Sequence, residues 1–148
     1  MRVSDHFSAH YIGWIALPLA LSACATMADI VGQKEEGTTE IYDVTPDQAW
    51  EIAKVVFRTE GTDAIEEHRD QGYMLTSSGM NLVSWGAVMG AWIEPSGANR
   101  TKVTVLTKRR ITINLVTTLT EGTFHRRFTQ GVGMVKSGKP IPPILPDS

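Results

Sequence analysis

Helical spacing is clearest between residues 45 and 61. Ala49, Ile52, Ala53, Val56 and Phe57 share one face of a 3.6-residue repeat, with charged and polar residues between them. Thr45 is placed to cap this helix, Pro46 suits its first turn, and Gln48 completes a capping box; Glu60-Gly61 closes it. Before it, Thr39 to Val44 is a short β-prone stretch. After it, Thr62 to His68 and Gly72 to Ser77 flank Arg69-Asp70-Gln71 and predict a hairpin. Leu82 to Glu94 then alternates. Val83, Trp85, Ala87, Met89, Ala91 and Ile93 share one face, and Ser84, Gly86, Gly90 and Glu94 the other. A turn cluster, residues 95–99, leads into a Thr/Val-rich strand from Arg100 to Arg109. From Thr120 to about Val135, Phe124, Phe128 and Val132 align at i, i+4 and i+8, which predicts a last helix weakened near its end by Gly131 and Gly133.

Together these elements predict an α+β fold: a four- to five-stranded antiparallel sheet with one or two helices packed on one face. Gly86 and Gly90 also make a GxxxG spacing of the membrane-helix type. The surrounding apolar run is far short of the roughly 20 residues that cross a bilayer. Its period of two favours a strand whose glycines leave room for an opposing backbone or helix.

The two ends read differently. A polar opening with Arg2 precedes an apolar run from Tyr11 to Ala20, and small residues follow. That arrangement describes an export signal over residues 1–23. Its removal leaves 125 residues, room for one domain with one core. Residues 24–37 are small, polar and aperiodic and are expected to act as a tether. The domain is expected over residues 38–135. Residues 136–148 carry Lys139-Pro140-Ile141-Pro142-Pro143-Ile144-Leu145-Pro146, which sustains neither a helix nor a central strand and predicts an extended tail.

Leu21-Ser22-Ala23-Cys24 closes the export signal, and Cys24 is the only cysteine of the chain. The four residues resemble the lipobox of bacterial lipoproteins. In that family the cysteine sulfur receives a diacylglycerol and the chain is cut just before it. The resemblance implies a mature protein acylated at Cys24 and held permanently in a membrane, because stable anchoring takes more than one chain. An Asp after the cysteine would imply inner-membrane retention in many Gram-negative bacteria. Ala25 stands there, so the resemblance implies the periplasmic face of the outer membrane. The body resembles, in layout only, small α+β modules of periplasmic lipoproteins, some of them accessory subunits of envelope machines such as the β-barrel assembly complex.

Catalytic patterns are scarce. His68 and His125 have no second ligand at a zinc-binding spacing, and no Gly-x-Ser-x-Gly elbow or phosphate-cradling loop occurs. With Cys24 modified, no thiol remains for a disulfide, a nucleophile or a metal. Glu66 and Glu67 are neighbours on a strand, so they point to opposite faces and do not form an acid–base pair. No cofactor, metal, nucleic acid or enzymatic activity is expected.

Charge is strongly partitioned. Residues 35–70 hold eleven acids against Lys54, Arg58 and Arg69, and residues 100–139 hold nine bases against Glu121. Two halves that pack together and pair their charges account for this most simply. The functional alternative gathers Lys108, Arg109 and Arg110 with His125, Arg126 and Arg127 at one end of the sheet, to bind an anionic envelope component or an acidic partner protein. Among aromatics, Trp50 flanks the apolar face of the first helix. Trp92 and Tyr73 are candidates for an open sheet face where a ligand, a cell-wall fragment or a partner docks. The expected role is therefore a non-enzymatic, membrane-anchored binding or accessory subunit. A small-ligand or cell-wall (peptidoglycan) binding module is the alternative, and a hydrolase ranks behind both.

Overall fold

The computed structural model describes residues 27–62, 64–78, 87–109 and 120–146. The lipobox-like tetrad at 21–24, Ala25, Arg110 and the first part of the expected strand at 82–86 lie outside them. The order is helix α1 (Met27–Val31), strand β1 (Thr38–Tyr42), helix α2 (Pro46–Thr59), strands β2 (Ala64–His68), β3 (Tyr73–Ser78), β4 (Ala87–Pro95) and β5 (Thr101–Arg109), and helix α3 (Glu121–Lys136). The strands make one antiparallel sheet in the order β1-β5-β4-β3-β2. This is an open α+β layout in which β1 and β2 form the two edges.

Local chemistry accounts for most of these elements. Thr45 accepts from the Gln48 backbone N–H at 3.3 Å while the Gln48 side chain accepts from the Thr45 N–H at 3.0 Å, so α2 starts on a complete capping box. Gly72, at φ 73°, follows a 3-10 turn at Arg69–Gln71 and turns β2 back into β3. Period-two alternation sends Ala87, Met89, Ala91 and Ile93 of β4 toward α2 and α3, and Val88 and Trp92 to the other face. Phe57, Phe124 and Phe128 are fully buried on the helical side. There α3 approaches α2 so closely that a Cβ on Gly131 would stand 2.7 Å from a methyl of Ile52. The last helix persists to Lys136 because that close approach, together with buried Val132, outweighs the low helix propensity of glycine.

Two segments depart from expectation. Residues 27–36, part of the expected tether, form α1 and a 3-10 turn (Lys34–Glu36) that lie on the sheet face opposite α2 and α3. Ile30 is fully buried there among Tyr73, Leu75, Val88, Trp92 and Leu106. Gly90 makes the space: a Cβ at that position would stand 2.7 Å from Ile30 Cγ2 and 2.8 Å from the Trp92 ring. The sheet therefore carries helices on both faces. At the other end the Pro-rich segment, though irregular, folds back on the body. Leu145 is buried, its N–H donates to Thr59 Oγ1 at 2.9 Å, and Gln130 Nε2 donates to the Pro146 carbonyl at 3.3 Å.

Candidate functional site

The expected basic end is dispersed. Successive residues of a helix are turned by about 100°, so His125, Arg126 and Arg127 leave α3 in three directions. His125 is buried against β1. Its Nε2–H donates to the Thr38 carbonyl at 3.1 Å, and its Nδ1 lies 2.8 Å from the Tyr42 hydroxyl. Tyr42 in turn donates to Glu40 Oε2 at 2.9 Å. Burial pushes the Tyr42 phenol well above its usual range, and the Glu40 carboxylate that accepts its proton adds to the effect. Arg127 turns the other way and pairs with Glu60 at the C-terminal end of α2, where the two side chains are 15 % and 3 % exposed. Arg126 faces solvent. Lys108 is bonded to Glu36 of the 3-10 turn. Arg109 ends β5 with its backbone opposite Ala87, and Arg110 lies outside the described residues. Apart from Arg126, the described side chains Lys108, His125 and Arg127 each join two elements of the fold, so these do not gather at one site; the Arg109 side chain and Arg110 are not described.

The expected aromatic platform is closed as well. Tyr73 and Trp92 are adjacent across β3 and β4, with ring centroids 6.4 Å apart, and both are buried beneath α1. They lie on the face opposite the helical core. The sequence pattern pointed to an open sheet face, and did not register that a five-residue helix covers it. His68 ends β2, with its ring stacked 4.6 Å from Tyr73 and its Nε2 bonded to Glu66.

Glu66 and Glu67 do point to opposite faces. Glu67 accepts from the Trp50 indole at 2.7 Å and pairs with Lys54 at 3.1 Å. The indole N–H chiefly, with Lys54 behind it, holds this carboxyl below its usual value despite partial desolvation. The Arg69 guanidinium sits 4.9 Å from the Trp50 ring and reaches Asp47 at 2.9 Å and Glu51 at 3.3 Å. These contacts tie α2 to the β2–β3 turn.

Two surface concavities accompany these contacts. A cleft of about 390 Å³ opens among Pro46, Trp50, Arg69, Gly72, Ile93 and Pro95. A second, of about 760 Å³, runs beside the folded-back tail, lined by Thr59, Met134, Lys139, Pro142, Ile144 and Leu145. Ile144 on its rim is 63 % exposed. Nothing in the sequence pattern pointed to either, because both depend on where the 3-10 turn and the tail come to rest. Among the described residues, no group of three His, Cys, Asp or Glu side chains is gathered as a metal site. No helix among them is long and apolar enough to cross a membrane. No family model, curated protein or solved structure matches the chain.

Proposed function

We propose that the chain is an envelope lipoprotein, acylated at Cys24 and held at the periplasmic face of the outer membrane, whose body binds another envelope component instead of catalysing a reaction. The observation that carries this reading is Leu21-Ser22-Ala23-Cys24, a lipobox-like tetrad at the end of a short apolar run and containing the only cysteine of the chain. The binding half is supported by what the reactive residues do. His125 holds α3 to β1, Glu67 holds β2 to Trp50, and Arg127 and Glu60 join the two long helices. These groups are committed to architecture, and the two surface concavities among the described residues are candidate places for recognition.

The test is in-cell crosslinking of a tagged chain, followed by purification from membranes and mass spectrometry. The reading predicts a near-stoichiometric envelope protein among the products. Recovery of the acylated chain alone would contradict the subunit role and shift the weight to small-ligand or cell-wall binding. The cleft beside Trp50 and Arg69 would be the site to examine for that alternative, since Tyr73 and Trp92 are covered.

A further inference from the structure

The distance along the chain from Cys24 to α1 is very short. Three Cα steps separate Cys24 from Met27, a reach of at most about 11 Å even when fully extended. A domain of this length has a radius of gyration of about 14 Å. Had residues 24–37 remained a free tether, their thirteen steps would reach about 45 Å and let the body roll over. Ile30 removes that slack by seating α1 in the sheet, fully buried over Gly90. The following 3-10 turn is pinned as well, by Lys34 to Glu94 and by Glu36 to Lys108.

From this geometry, and resting on acylation at Cys24, we propose that the sheet face bearing α1 lies against the phospholipid bilayer, with α2 and α3 directed away from it. A lipid-anchored residue so close to α1 cannot place the opposite face at the membrane, because the leash is shorter than the body's own radius. A second observation agrees. Ile41, next to core-facing Tyr42 on edge strand β1, points to the α1 side of the sheet and is 49 % exposed. It is one of two large apolar side chains left so open among the described residues, the other being Ile144 on the tail. On the membrane-facing side, Ile41 would rest at the apolar–polar boundary.

Among the described residues, the lysines on this side are already paired. Lys34, Lys102 and Lys108 on the α1 side are bonded to Glu94 and Glu36. The orientation is therefore set by the covalent leash and by apolar contact, and it should persist at high salt, where attraction of basic residues to anionic lipid is screened.

The experiment uses the full acylated chain in phosphatidylethanolamine–phosphatidylglycerol vesicles containing lipids with a nitroxide on the headgroup. Because acylated Cys24 offers no thiol, Ile41→Cys and Arg58→Cys can each be labelled singly with a fluorophore. Residue 58 is exposed on α2, on the far side of the sheet. The proposal predicts several-fold stronger quenching at 41 than at 58, unchanged by added salt. Adding Ile30→Ser to the labelled chain should release α1 and bring the two positions toward equal quenching. Equal quenching in the chain that retains Ile30, with Cys24 shown by mass spectrometry to be acylated, would overturn the orientation and leave the lipoprotein reading standing. An unmodified Cys24 would overturn both.

Discussion

Ile30 shows how much one side chain can decide. It is the fully buried contact of a five-residue helix, too short to have much intrinsic stability. Its position over Gly90 converts a would-be tether into part of the domain. Ile30→Ala should cost about 2–4 kcal/mol in urea denaturation, the usual range for an emptied core site. A change near zero would mean that α1 contributes nothing to the fold. The Tyr42–His125 contact is the corresponding polar anchor on the other side of the sheet. Tyr42→Phe removes the hydroxyl between His125 Nδ1 and Glu40 and should cost about 1–3 kcal/mol, read in the same denaturation experiment. His125 was legible as a helix residue but its burial was not. Its neighbours Arg126 and Arg127 suggested a charged surface, and only the rotation of α3 against β1 decides which of the three turns inward.

At the scale of elements, legibility followed the number of residues that repeat a pattern. In α2, five apolar positions and a capping box agreed with one another. In α3 three aligned apolar positions sufficed, and β4 alternated along its length. The Arg69–Gln71 turn was flanked by two β-prone runs. By contrast α1, Met27–Val31, is too short to show a period. The tail sequence is correctly irregular, yet the burial of Leu145 depends on a Thr59 hydroxyl far away in the chain. The α2–α3 contact is itself testable. Arg127 and Glu60 form a largely buried ion pair, so Arg127→Met should destabilise by about 3–5 kcal/mol because it removes one member of a poorly solvated charge pair. Combining Arg127→Met with Glu60→Gln should recover much of that loss. Equal instability of the single and double variants would show that the charge pairing itself is not what matters.

Across the whole molecule, the acidic and basic halves meet. Asp43 pairs with Arg100 and Lys136, Glu36 with Lys108, and Glu60 with Arg127. These contacts give the partitioned charge a structural use, as the simpler reading of the sequence expected. They also set a pH dependence. Hydrogen bonding and charge from Lys136 hold Asp43 below its usual 3.8. The Trp50 indole does the same for Glu67, and Lys34 with Lys102 for Glu94, both below the usual 4.5. Carboxyls depressed in the folded state contribute stability that is fully present above their unfolded values. The melting temperature should therefore hold at neutral pH and fall as pH drops through about 4.5 and below. Lys102 has the opposite sense. Glu94 raises it above 10.5, so its contribution is present below that value and is lost as pH climbs beyond it. A melting temperature that rose on acidification from pH 5 to pH 3 would contradict this assignment.

The proposed function and the proposed orientation on the membrane both rest on anchoring through Cys24, and the N-terminal peptide of the chain purified from membranes tests it directly. Tandem mass spectrometry should find a mature protein beginning at Cys24, with a diacylglycerol on its sulfur. A chain that still begins at Met1, with a free thiol at position 24, would contradict the account.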